Sequence, residues 1–588
     1  VGTGNSAGSL VAGNADLNGA AVVLDPVWQG NDTIGNASKA ALAFTNNNVN
    51  GLMTVGRNSV LSLGTDDTGK AEQAFAESEL TWGKTGVSAA LYIDQAQKLQ
   101  VQGGILLDGT KTAASAEANK ASFADGSLLI VNGSGIGTSG TAALTGGSGS
   151  TLTVNQGAKL YLTSTNAGTY TIAKGFANTT IDGWSWSADA AAVDVSVNKL
   201  SEIEKIEKNT ADGDFTVTVR QTDVQKKYDG IALPNILQAM DQSRTEYAGI
   251  KYLTDLANDN KLDKEGFIAA VNSFAQGAEN SGATRTGALA ALDLGTAVQE
   301  HLSLAKAAAE QSGGFGKAAV DTADNGGIWA QYIHNKDKVD NMGGVSYDGQ
   351  YNGFIIGGDF ADRGKYSSGI AFSYGSGDST GSASKNEFDF WGLSYYGGIQ
   401  NGDTNLIFDV GYSKTSSDVK GVIKAEPDTQ VISMGVKGEK LISNGHGTSY
   451  VPYAGLRYMN IDTDSYNGSI DGKTAAHYST DKADLWLLPV GISISHESVT
   501  AGGWKVRPTA DIAYVWTLGD KNTAMDITVP GVNATDRLGY DIMDSGFFVG
   551  KLGLEAEKGD WTYGLGYACQ KGSHAQNSKF MLNVTYSF

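Results

Sequence analysis

From about residue 327 to residue 588, apolar and polar residues alternate with a period of two, as in a pleated strand whose successive side chains point to opposite faces. In one segment Trp504, Val506, Pro508, Ala510, Ile512, Tyr514, Trp516 and Leu518 share a face, while Lys505, Arg507, Thr509, Asp511, Ala513, Val515 and Thr517 share the other. Leu406, Phe408, Val410 and Tyr412 oppose Ile407, Asp409 and Gly411; Phe548, Leu552 and Leu554 oppose Lys551 and Glu555. Trp486, Leu488, Val490, Ile492 and Ile494 form another such row, as do Trp561, Tyr563, Leu565 and Tyr567, and the chain ends on Phe580, Leu582, Val584, Tyr586 and Phe588. An apolar face that begins and ends in aromatics suits a strand crossing both membrane interfaces, and charge on the opposite face suits a wet lumen.

Strands that face lipid must pair every backbone polar group within the protein, so they close into a barrel. About twelve candidate strands are present, an even number as single-chain barrels require. The competing reading is a soluble antiparallel sheet or sandwich, against which the charges opposite the apolar face count. By the same parity Asp409, Arg457, Arg507, Asp511, Lys551 and Glu555 are expected to face the lumen.

The pattern changes toward the amino terminus. Residues 1–199 are rich in Gly, Ser, Thr, Asn and Ala, with short β-prone runs such as GSLLIVNG and STLTVNQGAKLYLTS between turn residues. Stacked rungs of a parallel β-helix fit this best; the absence of a fixed period keeps a sandwich as the alternative. One clear strand, Phe215 to Arg220, follows a charged connection. The texture then becomes helical, with Ile236, Leu237 and Met240, then Phe267, Ala270, Val271 and Phe274, at three- and four-residue spacings, and with Asn235 and Asp263 at expected caps.

A second helical run is expected over Thr284 to Gln311, where 28 residues at 1.5 Å each would span about 42 Å. Arg285, Asp293, Gln299, Glu300, His301 and Lys306 exclude a lipid-facing span. Spacing alone fits a helix threaded through a polar lumen and a surface helix equally.

Composition narrows the partners. At 588 residues at least two domains are expected, and 78 glycines with only 7 prolines fit a turn-rich β protein. A net charge of −20 repels nucleic acid, so none is expected as a partner. The single cysteine, Cys569, allows no intrachain disulfide or Cys-based zinc site, and parity puts it on the outer face. No apolar run is long enough for a membrane helix. Val1 is not preceded by a basic and apolar leader, so a secretion signal is expected to have been removed or to lie outside this chain.

A glycine-rich β region, a helical connection, one long helix, then GGIWAQYIHNKDK opening about twelve strands that end in FMLNVTYSF: this order resembles the classical (type Va) autotransporters. The resemblance covers essentially the whole chain, and its sharpest marks are Gly327 to Gln331 and the terminal aromatics. It implies a fold that is all-β with a helical linker, in which residues 1–225 are all or part of a β-helical passenger and 226–283 a helical connecting region. It further implies that residues 284–326 hold a lumenal helix and its connection, and that 327–588 form an outer-membrane β-barrel of about 12 strands plugged by the α-helix. Leu582, Val584, Tyr586 and Phe588 match the family's C-terminal insertion signal, which implies the barrel-insertion machinery and outer-membrane lipid as partners. Self-cleaving members carry paired asparagines in the lumenal helix; none lies between Thr284 and Gln311, Asn280 being the nearest, so no such cleavage is expected.

Passengers of this family can be hydrolases, but residues 1–230 contain no histidine, no GxSxG and no GDSGS-like stretch. GDST at Gly377 to Thr380 reads as a polar turn between barrel strands, and GTDDTG at 64–69 and TADGDF at 210–215 as solvated turns without calcium-loop spacing. No catalytic residue, cofactor or metal is therefore expected. The expected function is an outer-membrane autotransporter whose surface passenger is adhesive or structural, touching a host, matrix or cell-surface ligand; Trp28, Trp82, Tyr92, Tyr161, Trp184 and Trp186 are the aromatic candidates for such contacts, against a role in the core. The alternative is an outer-membrane porin or barrel enzyme with an extra N-terminal β domain.

Overall fold

The computed structural model describes short strands between Ser9 and Leu107, and then residues 119–146, 149–188, 194–259, 261–306, 327–360, 365–444 and 447–587. The chain divides into two compact units, Val1–Asn272 with Pro530–Ala534, and Ser273–Val529 with Thr535–Phe588.

The second unit is built on twelve long strands: β1 Gly327–Met342, β2 Val345–Asp359, β3 Tyr366–Gly381, β4 Ser384–Asn401, β5 Thr404–Gly421 and β6 Asp428–Lys440, then β7 Thr448–Thr463, β8 Ala483–His496, β9 Lys505–Gly519, β10 Gly546–Lys558, β11 Trp561–Lys571 and β12 Ala575–Ser587. Each pairs antiparallel with the next, and β12 pairs with β1 from Ala575↔Val339 to Ser587↔Gly327. The sheet therefore closes on itself without an edge, as a hydrocarbon surrounding demands.

The period-two sequence pattern becomes two faces. Tyr366, Ile370, Phe372 and Tyr374 on β3, and Trp561, Tyr563, Leu565 and Tyr567 on β11, are exposed outward, with aromatics at both ends of the row. Such rows form the apolar belt and aromatic girdles of a membrane barrel. Cys569 is exposed on this outer face. On the inner face Gln331, Asn335, Asp337, Asp409, Arg457, Arg507 and Lys579 are buried.

Two of the connections are themselves folded. Tyr466–Ile470 with Lys473–Thr480, and Asn522–Thr528 with Thr535–Asp541, form two hairpins that join into one four-stranded antiparallel sheet. Asp471 and Gly472 turn the first hairpin at φ 50° and 75°, a left-handed pair that matches strand twist. GDST is no turn: it lies inside β3, whose strand runs on to Gly381, and buried Ser379 donates to the Ser281 carbonyl at 2.6 Å.

A helix precedes the barrel, Ala283–His301, 19 residues long. The expected run to Gln311 is too long within the described residues, because wall side chains take over the helix end. Asn405 donates to the Leu302 carbonyl at 2.9 Å, while Glu439 accepts from Ser303 Oγ at 2.7 Å and Leu304 N at 2.8 Å. Polar groups left over at a helix end need such partners, and here the barrel supplies them. Residues 307–326 lie outside the described residues.

The first unit holds three sheets of largely parallel strands. From Lys120 to Val197 the chain visits them in rotation, so that Thr151–Val154 pairs with Lys120–Phe123 and Asn178–Ile181, and Lys159–Thr163 with Ser127–Asn132 and Val195–Val197. Ala142–Gly146 pairs likewise with Gly168–Lys174, and the third sheet ends in an antiparallel hairpin, Ser201–Asn209 with Asp214–Gln221. TADGDF makes the turn of that hairpin, where Asn209 Nδ2 donates to Asp212 at 2.7 Å. Parallel rungs bury both short apolar runs and their small neighbours, which explains the near-continuous burial of Ser127–Val131.

Tyr92, Tyr161 and Trp184 are buried and Trp186 is half-buried, so these four are core and not a binding ridge. Trp184 sits between Phe123 and Phe215 at ring distances of 5.1 and 5.2 Å. Trp28, Trp82 and the GTDDTG stretch lie outside the described residues. Asp263 caps the helix Lys264–Gln276 by accepting from Gly266 N at 2.7 Å. Asn235 does not cap: the helix Pro234–Ala239 begins one residue earlier on proline, whose missing N–H needs no partner.

Candidate functional site: the barrel lumen and its helix

Small residues let the helix Ala283–His301 approach the wall. A Cβ at Gly295 would lie 2.1 Å from Arg457 Nη1, and one at Gly287 2.7 Å from Thr429 Cγ2. These two glycines are two turns apart, so one helix face meets β6 and β7. The remaining faces carry long polar side chains that reach other strands.

At the start of the helix Arg285 grips Asp337 of β1 in a fork, Nε to Oδ2 at 2.9 Å and Nη2 to Oδ1 at 3.1 Å, and donates to the Ile542 carbonyl at 2.9 Å. In the middle, Asp293 pairs with Lys579 of β12 and accepts from Tyr351 of β2 at 2.5 Å and Asn335 of β1 at 3.3 Å. Nearly two turns further on Gln299 donates to Asp409 of β5 at 2.8 Å, and Glu300 pairs with Lys551 of β10. At the end His301 stacks on Trp329 at 4.8 Å, its Nε2 3.0 Å from Asp359 of β2. Tyr396 donates to the same carboxylate at 2.8 Å.

A charge out of water is tolerated only with a partner, and each of these ions has one on a different strand. The helix is thereby tied to β1, β2, β5, β10 and β12, and through Glu439 to β6. Beside it lies a cavity of about 120 Å³ whose wall is more apolar than polar, with Leu487, Val515 and Met581 lining it along with Asp293, Gln299 and Lys437.

The six charged positions expected inward divide into two groups. Asp409 receives Arg457 in a fork at 2.8 and 2.9 Å and, with Lys551, also engages the helix. Arg507 instead pairs with Glu555 at 3.3 Å and Glu497 at 2.7 Å, and Asp511 accepts from Tyr453 at 3.0 Å and from Ser493; neither meets the helix. Asp337, Asp359, Glu439 and Lys579 join the six expected positions on this face, and strand parity is enough to find them: Lys579 alternates with outward Phe580. Of the terminal signal, Leu582 and Val584 face outward, Tyr586 is half-buried and packs 4.8 Å from Trp561, and Phe588 lies outside the described residues.

Asn280 precedes the helix. Its Oδ1 accepts from Ala383 N at 3.0 Å and its Nδ2 donates to Gln276 at 2.8 Å. Among the described residues no group of three or more His, Cys, Asp or Glu could hold a metal ion.

A closed ring of twelve antiparallel strands, apolar outside and charged within, defines a transmembrane β-barrel of the bacterial outer membrane. Residues 328–568 match the family described as the autotransporter beta-domain, and this part of the chain is such a domain. Solved structures similar to this chain include the translocator domain of the autotransporter NalP from Neisseria meningitidis, at 13% identity and TM-score 0.39, over 52% of this chain and 96% of that one. Similarity extends to the beta domain of the Bordetella autotransporter Brka, at 16% identity, TM-score 0.37, 45% and 100% coverage, and to the transport unit of AIDA-I from Escherichia coli, at 14%, 0.34, 53% and 99%. No curated protein matches the chain.

Proposed function

We infer that the chain is a non-enzymatic autotransporter whose barrel anchors and exports its own N-terminal part. In this reading residues 1–225 are a β-helical passenger at the cell surface, the helix Ala283–His301 plugs the lumen, and the passenger adheres or decorates without turnover. The observation that carries the plug is the set of buried ion pairs and hydrogen bonds joining one helix to six strands. An open porin has no use for a helix so bound, which disfavours the porin alternative. The rotation of the chain through three parallel sheets supports the β-helix. Residues 1–230 lack histidine and cysteine, the side chains that most readily do acid–base or covalent chemistry near neutral pH, which supports a binding surface. Ligands on host cells, matrix or neighbouring cells are the partners proposed, with outer-membrane lipid around the barrel and the insertion machinery acting on its C-terminal strand.

Cells displaying the full chain are expected to adhere to such surfaces more than cells displaying the chain from about Ile231 onward. Equal adhesion by the two removes the adhesive role, and hydrolase activity mapped to residues 1–230 removes the non-enzymatic one.

A further inference from the structure

Just before the helix, the short turn Gly277–Ser281 is enclosed where β2, β3 and the two extra hairpins meet. Ala278 N donates to Tyr466 Oη at 3.0 Å, Tyr478 Oη donates to the Phe274 carbonyl at 2.6 Å, and those two rings stack at 4.9 Å. Gly277 and Gly282 bound the turn in left-handed conformations, φ 55° and 70°. A Cβ on either would meet Tyr466 Oη at 2.6 Å or Tyr347 Cζ at 2.2 Å, so the chain passes through an aromatic collar with no room to spare.

Inside the collar lies Glu279, only 3% exposed. Its carboxyl accepts from Thr284, Oγ1 at 2.8 Å and N at 3.3 Å, and Thr284 Oγ1 in turn lies 2.8 Å from Thr463 Oγ1. The groups around it are phenols: Tyr347 from β2, and Tyr466 and Tyr540 from the hairpins. The nearest cation in sequence, Arg285, is committed to Asp337. The phenol oxygens of Tyr347 and Tyr540 are buried without a hydrogen-bond partner, so neither of them donates to the carboxyl.

We propose that Glu279 is a proton-operated latch: protonated, it lets the collar close around residues 277–282, and ionised, it loosens that end of the barrel. Closure is neutral in charge only when the carboxyl holds its proton, because among the described residues no cation pairs with it, Arg285 being held by Asp337. The turn lies beyond the apolar belt, at the level of the strand connections. Burial pushes the carboxyl up to about 7, the Thr284 hydrogen bonds opposing that rise. In the released turn it titrates as an ordinary glutamate, near 4.3. A folded-state pKa raised in an acid means the closed form binds the proton more tightly, so closure is favoured at low pH and weakens as pH rises from about 4.5 to about 7. Above that range the disadvantage is constant. The inference rests on the helix being the plug, since it is the plug's entrance that the collar guards.

The test uses the full chain with Cys569→Ala and Ser281→Cys, buried at the latch, labelled by a thiol reagent in detergent. Labelling is read as a ratio to the same chain carrying Glu279→Gln, which cancels the thiol's own pH dependence. The ratio should be about five at pH 5 and rise about another hundredfold by pH 8. A ratio that stays flat across this range overturns the latch. Shifted migration of unboiled samples in SDS, unchanged in both variants, reports that the barrel itself is intact and separates the latch from the barrel reading.

Discussion

Replacing Asp293 with leucine should lower the temperature at which the barrel loses its compact migration in SDS more than any other single change to the helix. Its carboxylate is the only anion paired with Lys579 among the described residues, and Tyr351 and Asn335 also point at it. Removing one member of a buried pair leaves the other charged and desolvated, which costs about 3–5 kcal/mol. Removing both costs far less, because an apolar pair of similar size fills the space. The measurement is therefore a comparison: Asp293→Leu alone against Asp293→Leu with Lys579→Met. A double variant as unstable as the single one contradicts a coupled pair.

Gly295→Leu is the second large effect. The side chain would grow from a position 2.1 Å from the Arg457 guanidinium, which two bonds of 2.8 and 2.9 Å hold to Asp409. Arg457 must then leave a carboxylate that also serves Gln299, adding a broken buried pair to an overpacking cost of about 1–3 kcal/mol. The heat-shift temperature should fall, and in a background of Arg457→Met with Asp409→Leu the same substitution should cost distinctly less. An equal loss in both backgrounds would mean that helix and β7 do not meet at this point.

The barrel was legible because a membrane imposes one rule on every strand. Trp561 to Tyr567 and Leu406 to Tyr412 could be assigned to faces by parity alone, and the count of about twelve strands follows from repeating that step. Local sequence was a weaker guide where tertiary partners decide. The alanine-rich run after His301 has helical propensity, yet Asn405 and Glu439 satisfy the helix end at Leu302 to Leu304, and nothing in the local pattern announces them. The extra hairpins were hidden inside two connections, although Asp471-Gly472 was a readable turn signal for the first. The lumenal pairing was half legible: parity gives the face of Asp409 or Lys551, but which residue meets Gln299 or Glu300 depends on the rotation and depth of the helix, set by Gly287 and Gly295 against the wall.

Conductance in planar bilayers tests the central claim most directly, a closed barrel whose lumen is filled by its own helix. The full chain should conduct little, while a chain lacking residues 283–326 should conduct at the level of a water-filled pore. Full-chain currents as large as those of the deletion variant would contradict the account.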